Sequence, residues 1–437
     1  MNPVVKKVLQ NVAGFGLSVL RRLDRVLYGS ISPLSQTESN RDPYEAYRNS
    51  LSHGPVLRSL SNRGWLVFGF EEAQALFLDT RFSSDVRTNK FISRLVRAAA
   101  GGGRVSLLDD PNMVNRDPPD HTRLRKLVQQ GFLHKYVQSM EPRIASIVAK
   151  CLDSYDPQTG QFDILEQLAR PLPAIVIAEM LGLPEKDLPR FQELSNRLLG
   201  LTALGNDELM QAGARANDQL EDYFKEVIEA KRQSPGQDLI SRLIEAEEEG
   251  DRLSTQEMYS TCVLLLVAGH ETTTRLISNG MYTLLQHPDQ LALLKRDPSL
   301  MPNAIEEMLR YEPPVQLMAR FASSDLEFFG KKIRKNQMVL PIIGSANRDP
   351  KANENPNVFD VTRKDIKHVS FGHGIHLCLG LNLARLEARV AINALLERFP
   401  QMTLADQEIV WTNIPLVRGM ENLLIDANEP AARSEAA

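Results

Sequence analysis

The stretch "FGHGIHLCLG", residues 371–380, sets a cysteine among three glycines and two histidines in ten positions. The chain has only three cysteines in 437 residues: Cys151, Cys262 and Cys378. An odd, scattered set is no disulfide framework and suits a reducing compartment, so Cys378 stands here for another reason. Gly372, Gly374 and Gly380 permit positive φ or a close backbone approach to a bulky partner. The helical pattern that follows carries Leu379, Leu383, Leu386, Val390 and Leu396 near one face. Its free N–H groups and positive dipole end point back at the sulfur, an arrangement that holds a thiolate. One cysteine without a second nearby is a poor zinc or iron–sulfur site. A single axial thiolate on haem iron fits, and a haem also accounts for the glycines. On spacing alone, a buried structural cysteine and a haem ligand both stand.

The ten residues closely resemble the F-G-x-G-x-H-x-C-L-G haem-binding signature of the cytochrome P450 family, which implies haem b with Cys378 as the iron ligand. The likeness extends along most of the chain in the family's order. "EEMLR" (306–310) resembles the family's E-x-x-R element and puts Glu307 and Arg310 one helical turn apart as a structural pair. "DPPDHTRLRKLV" (117–128) resembles its propionate-binding helix, with His121 and Arg125 at i, i+4. By the same resemblance Arg320 and His376 complete the set that meets the two haem carboxylates. Many relatives carry a further arginine before the haem loop, joined to the E-x-x-R pair. Here "NPNVFDVTR" (355–363) puts Val358 at that place. Arg348, Arg363 or a backbone group is left to replace it.

"AGHETTT" (268–274) falls midway along a helical pattern running from Ser254 to about Gln286. Ser254 and Glu257 form an S-x-x-E capping box at its start. Ala268 and Gly269 are small and leave room beside the helix for a ligand. Glu271 and Thr272 form an acid–alcohol pair, and resemblance to the family's A-G-x-[DE]-T element implies that they deliver protons to bound dioxygen. His270-Glu271 also opens like a zincin H-E-x-x-H motif, but position 274 is threonine, so the second metal ligand is missing. The plain alternative for Thr272 is a hydroxyl bonded to the preceding turn's carbonyl.

The resemblance implies a mainly α fold with a large helical region and a smaller β-rich region. Haem lies between the long central helix and the helix after Cys378. Strands are expected at 55–59 and 64–68, and a loop-rich stretch at 83–117. The activity implied is a monooxygenase that hydroxylates or epoxidises a lipophilic small molecule. Leu264, Ala268, Val315, Leu317 and Val417 are expected in the pocket wall, with Arg418 or Gln316 to orient a polar end. No flavin module fits in 437 residues and no C-x-x-C set is present. Electrons are therefore expected from a ferredoxin and an NAD(P)H-dependent ferredoxin reductase, docking on a basic face with Arg123, Lys126 and Lys135. Two alternatives are a hydrogen-peroxide-driven peroxygenase and a non-catalytic haem-binding sensor. The acid–alcohol pair argues against both.

The composition is that of a globular protein, 43% hydrophobic and 24% charged. A net charge of -4 offers no field for nucleic acid, and no run approaches eighteen apolar residues. A cytoplasmic monomer is expected, with one domain over 31–428 and a disordered tail at 429–437. Residues 1–30 stand apart as a basic amphipathic extension. Val5, Val8, Leu9, Val12, Phe15, Val19, Leu20, Leu23, Val26 and Leu27 share one helical face, and Lys6, Lys7, Arg21, Arg22 and Arg25 fall on the other. Such a helix lies in a membrane interface or packs on the protein's own body, and the sequence leaves both open.

Overall fold

The computed structural model describes residues 19–29, 42–102, 105–202, 206–248, 253–412, 414 and 416–427. The tail at 429–437 and most of the N-terminal extension lie outside them. Six helices carry the argument: α1 (19–28), α2 (Lys90–Ala99), α3 (Asp120–Val128), α4 (Thr255–Gln286), α5 (Met301–Tyr311) and α6 (Leu381–Arg398).

Helix α4 is the axis of the helical region. Its start is fixed by the capping box, in which the Ser254 hydroxyl accepts from the Glu257 N–H and the Glu257 carboxylate accepts from the Ser254 N–H at 2.7 Å. Buried residues occur on every side of it, Cys262, Leu266, Ile277 and Met281 among them, as a helix passing through a core requires. It packs on Pro171–Leu181, on α5 and on α6. The approach to α5 is close: a Cβ at Gly280 would stand 2.6 Å from the Met308 sulfur.

The β-rich region is a five-stranded sheet of β1 (Val56–Ser59), β2 (Gly64–Val67), β3 (Phe82–Ser83), β4 (Arg320–Ala322) and β5 (Met338–Pro341). The strand order is β1-β2-β5-β4-β3. β2 and β5 run parallel, with Leu66 opposite Leu340, and the other pairs are antiparallel. The sheet thus joins segments far apart in sequence and sets Arg320 opposite Val339.

The stretch read as loop-rich, 83–117, holds α2 and the short helix Ser106–Asp109. Asn89 caps α2, accepting from the Ile92 N–H at 2.9 Å, and Ile92, Val96 and Ala99 form its buried stripe. That stripe is only two turns long and is broken by Lys90, Arg94 and Arg97, which hid it in the sequence. Among the described residues no helix is long and apolar enough to cross a membrane.

Candidate active site

The loop before α6 turns on its glycines. Gly372 and Gly374 have φ of +69° and +70°. A Cβ at Gly374 would also stand 2.7 Å from the Phe77 carbonyl oxygen, so a side chain there is excluded twice. The Cys378 N–H donates to the Phe371 carbonyl at 2.9 Å and closes the loop. The thiol then faces a cavity of about 320 Å³. Burial pushes the Cys378 thiol up, while the Gly380 N–H and the Arg125 and Arg385 guanidiniums pull it down. These three favour a thiolate once a metal replaces the proton.

Leu264, Ala268 and Thr272 line the cavity from α4, and Phe371, Cys378 and Leu383 line it from the Cys loop and α6. Val315 lines it as expected from the sequence. Leu317 and Val417 do not. Met318 reaches the cavity instead, and Leu317 packs with Leu201, Met210 and Ile342. Val417 is buried behind the wall, bridged to Val315. Gln316 and Arg418 are also withdrawn from the cavity. Gln316 accepts from the Tyr47 hydroxyl at 3.3 Å. Arg418 donates to Glu312 at 2.5 Å and stacks on Trp411 at 3.7 Å. Neither lines the cavity.

At one end of the cavity the four cationic or imidazole groups named from the sequence come together. Arg125, Arg320 and His376 line it. His121 lies behind His376, with ring centres 4.3 Å apart. Arg125 donates to the Leu377 carbonyl at 2.8 Å. Arg320 is buried, donates to the Ala319 carbonyl at 2.9 Å, and has no acid at ion-pair distance among the described residues. Burial pushes it down to about 10, against the pull of Asp117. His376 is pushed down to about 3 by burial and by Arg320, His121 and Arg125, and its Nε2 lies 2.9 Å from the Ser84 hydroxyl. Neither ring nitrogen of buried His121 meets a well-formed partner, although the Ile375 backbone is close. Buried cations and orphaned donors without acids are the surroundings that a dianionic group requires. The residues present fit haem b, with its two carboxylates at this end and its iron at the thiol.

Glu271 and Thr272 are adjacent in sequence but turn to different surroundings. Thr272 lines the cavity, and its hydroxyl donates to the Ala268 carbonyl at 3.1 Å. Glu271 is buried and accepts from Arg275 at 2.6 and 2.8 Å. Arg275 also donates to the Met420 carbonyl. The sequence reading missed Arg275, although its i, i+4 spacing from Glu271 was a signal. It also missed Glu387. This residue is 1% exposed, neither carboxyl oxygen has a well-formed partner, and the Thr273 hydroxyl is its near polar group. Burial raises its pKa well above the glutamate range. An acid beside the apolar stripe of Leu383 and Leu386 was the available sign.

The network left open at Val358 closes through Arg363. Fully buried Arg310 donates two hydrogen bonds to Glu307, at 2.7 and 2.8 Å. Arg363 donates to the same carboxylate at 3.1 Å, and the Asp360 N–H donates to it at 3.0 Å. The Pro356 and Val358 carbonyls accept from Arg310. The Val358 side chain itself is exposed. Arg348 is occupied elsewhere, on the Tyr311 carbonyl and over the Tyr44 ring.

Comparison with known proteins agrees with this architecture. The family model "Cytochrome P450" matches residues 89–418. The chain is 40% identical to the cytochrome P450 monooxygenase PikC of Streptomyces venezuelae over 392 residues, 88% of this chain and 91% of that protein. It is 40% identical to the 6-deoxyerythronolide B hydroxylase of Saccharopolyspora erythraea over 402 residues, 90% of this chain and 98% of that one. The solved structure of CYP109E1 from Bacillus megaterium in complex with testosterone superposes with a TM-score of 0.83 at 36% identity, covering 90% of this chain and 100% of that one. Fold and site define a mainly helical haem-thiolate oxidoreductase. The chain belongs to the cytochrome P450 family, is a monooxygenase by class, and has haem b as its cofactor.

Proposed function

We propose that this chain is a cytoplasmic, monomeric enzyme that hydroxylates or epoxidises a lipophilic small molecule, with electrons from a ferredoxin and an NAD(P)H-dependent ferredoxin reductase. The observation that carries the reading is a lone thiol in an apolar cavity whose end is cationic and short of acids. Haem b, when bound, would supply the activation of dioxygen and the transfer of one of its oxygen atoms to substrate, the other leaving as water. Cys378 would hold the iron, and Arg125, Arg320, His121 and His376 would hold the carboxylates. Leu264, Ala268, Val315 and Met318 exclude water and grip an apolar ligand. The relatives include a hydroxylase named for 6-deoxyerythronolide B and a structure holding testosterone, which supports a substrate of that lipophilic kind.

Thr272 holds the last proton donor at the cavity wall. Glu271 resupplies it by rotating between Arg275 and the Thr272 hydroxyl, a relay through one carboxyl. The primary test is the spectrum of the reduced protein with carbon monoxide. The strongly red-shifted band of a thiolate-ligated haem is expected, and Cys378→His should replace it by a histidine-type band. A histidine-type band in the parent protein would refute the ligand assignment. Thr272→Val is expected to keep NAD(P)H consumption while product formation falls roughly 10²-fold, the electrons appearing as hydrogen peroxide. Unchanged coupling would remove Thr272 from the relay.

A further inference from the structure

Helix α1 lies on the molecule the wrong way round for a surface helix. Its buried anchor is an acid. Asp24 is 1% exposed and accepts from the Ser59 hydroxyl at 3.0 Å, the Ser61 hydroxyl at 2.6 Å, and the N–H groups of Leu60 and Ser61 at 2.5 and 3.0 Å. Its apolar residues face out. Val26 is 79% exposed and Leu27 59%, with Val19, Leu20 and Leu23 between 36% and 40%. At about 100° per residue these five fall within roughly a third of the helix circumference. A helix of a globular protein normally turns that stripe inward.

Charge accompanies the exposed stripe. Arg22 and Arg25 are exposed beside it, and Arg21 is half-buried. The first 28 residues carry five basic side chains against one acid, in a chain of net charge -4. Val5, Val8, Leu9, Val12 and Phe15 repeat upstream in the same helical phase. The turn that holds Asp24 also carries Arg63, whose guanidinium lies 4.2 Å over the ring of Phe91. Phe91 and Leu95, on α2, are 49% and 45% exposed. A second apolar patch with its own cation therefore borders the same turn.

We propose that the outer face of α1, with the Phe91–Leu95 patch beside it, is a binding surface for an anionic phospholipid bilayer. Val19, Leu20, Leu23, Val26 and Leu27 enter the acyl boundary, and Arg22, Arg25 and Arg63 meet the lipid phosphates. A second copy of the chain docked face to face on α1 would set arginines against arginines. An acidic protein would satisfy the arginines and leave the apolar stripe unmatched. A bilayer with negative headgroups satisfies both.

The test is sedimentation of the full-length holoenzyme with phosphatidylglycerol-containing vesicles and with phosphatidylcholine vesicles. Salt-sensitive binding to the former and little to the latter is expected. Leu23→Glu/Val26→Glu/Leu27→Glu and, separately, Arg22→Glu/Arg25→Glu should each weaken binding roughly tenfold or more. The carbon monoxide spectrum of each variant, unchanged, shows that the fold is intact. Three results would overturn the proposal: no binding by the parent chain, equal binding by the triple variant, or light scattering that shows a dimer which the triple variant abolishes.

Discussion

Glu387 puts a carboxyl group between α4 and α6 with the Thr273 hydroxyl as its near polar neighbour and no well-formed hydrogen bond. Burial raises its pKa in the folded protein, so the folded state binds this proton more tightly than the unfolded chain does. The stabilisation is complete below the ordinary glutamate range and fades as pH rises through it. The loss is about 1.4 kcal/mol per pH unit until the folded carboxyl itself ionises. Glu387→Gln cannot ionise. Its stability relative to the parent is expected to climb with that slope from about pH 4.5 upward, read from urea unfolding at several pH values. Parallel curves would mean that the carboxyl is ionised or hydrated in place. Glu271 differs in its surroundings: it pairs with Arg275 at 2.6 Å, whereas Glu387 has no cation at ion-pair distance among the described residues.

Among the elements, the segment between β5 and the Cys loop shows how a network survives the loss of one member. Glu307 on α5 is fully buried with Arg310, and Arg363 supplies the second guanidinium. Glu307→Ala would leave Arg310 buried and unpaired, and a loss of about 3–5 kcal/mol is expected. Arg363→Ala removes charged hydrogen bonds but leaves the inner pair, and about 1.5–3 kcal/mol is expected. Adding Val358→Arg to Arg363→Ala should not restore stability, because the position 358 side chain points to solvent. Rescue by that double variant, in thermal or urea unfolding, would contradict the geometry. Gly374→Ala acts on the neighbouring loop. With φ at +70° and the Phe77 carbonyl 2.7 Å from the new Cβ, the Cys loop cannot close as it does here. Loss of haem during purification is the expected outcome.

For the whole molecule, the question is how a chain of net charge -4 would receive electrons from another protein. Of the basic face read from the sequence, Arg123 is committed to Glu257, the capping residue of α4, because α3 packs near the start of α4. Lys126 and Lys135 are exposed. Reduction by the proposed ferredoxin partner is expected to slow as ionic strength rises, and Lys126→Glu with Lys135→Glu should slow it further at low salt. Equal rates in parent and variant would place the docking surface elsewhere.

The local signals in the chain were strong where the chemistry depends on neighbours in sequence. The Cys378 loop, the capped central helix, the Glu307–Arg310 pair and the His121–Arg125 spacing were all legible, because a helix turn or a glycine loop sets such geometry within a few residues. The rest depended on contacts between distant segments. Arg363 rather than Arg348 completing the Glu307 network, Met318 rather than Leu317 facing the cavity, Arg418 turned to Glu312, Glu387 without a partner and the outward apolar face of α1 were decided by packing. Periodicity shows which residues share a face, but only the surrounding elements determine whether that face meets the core, a cavity or water.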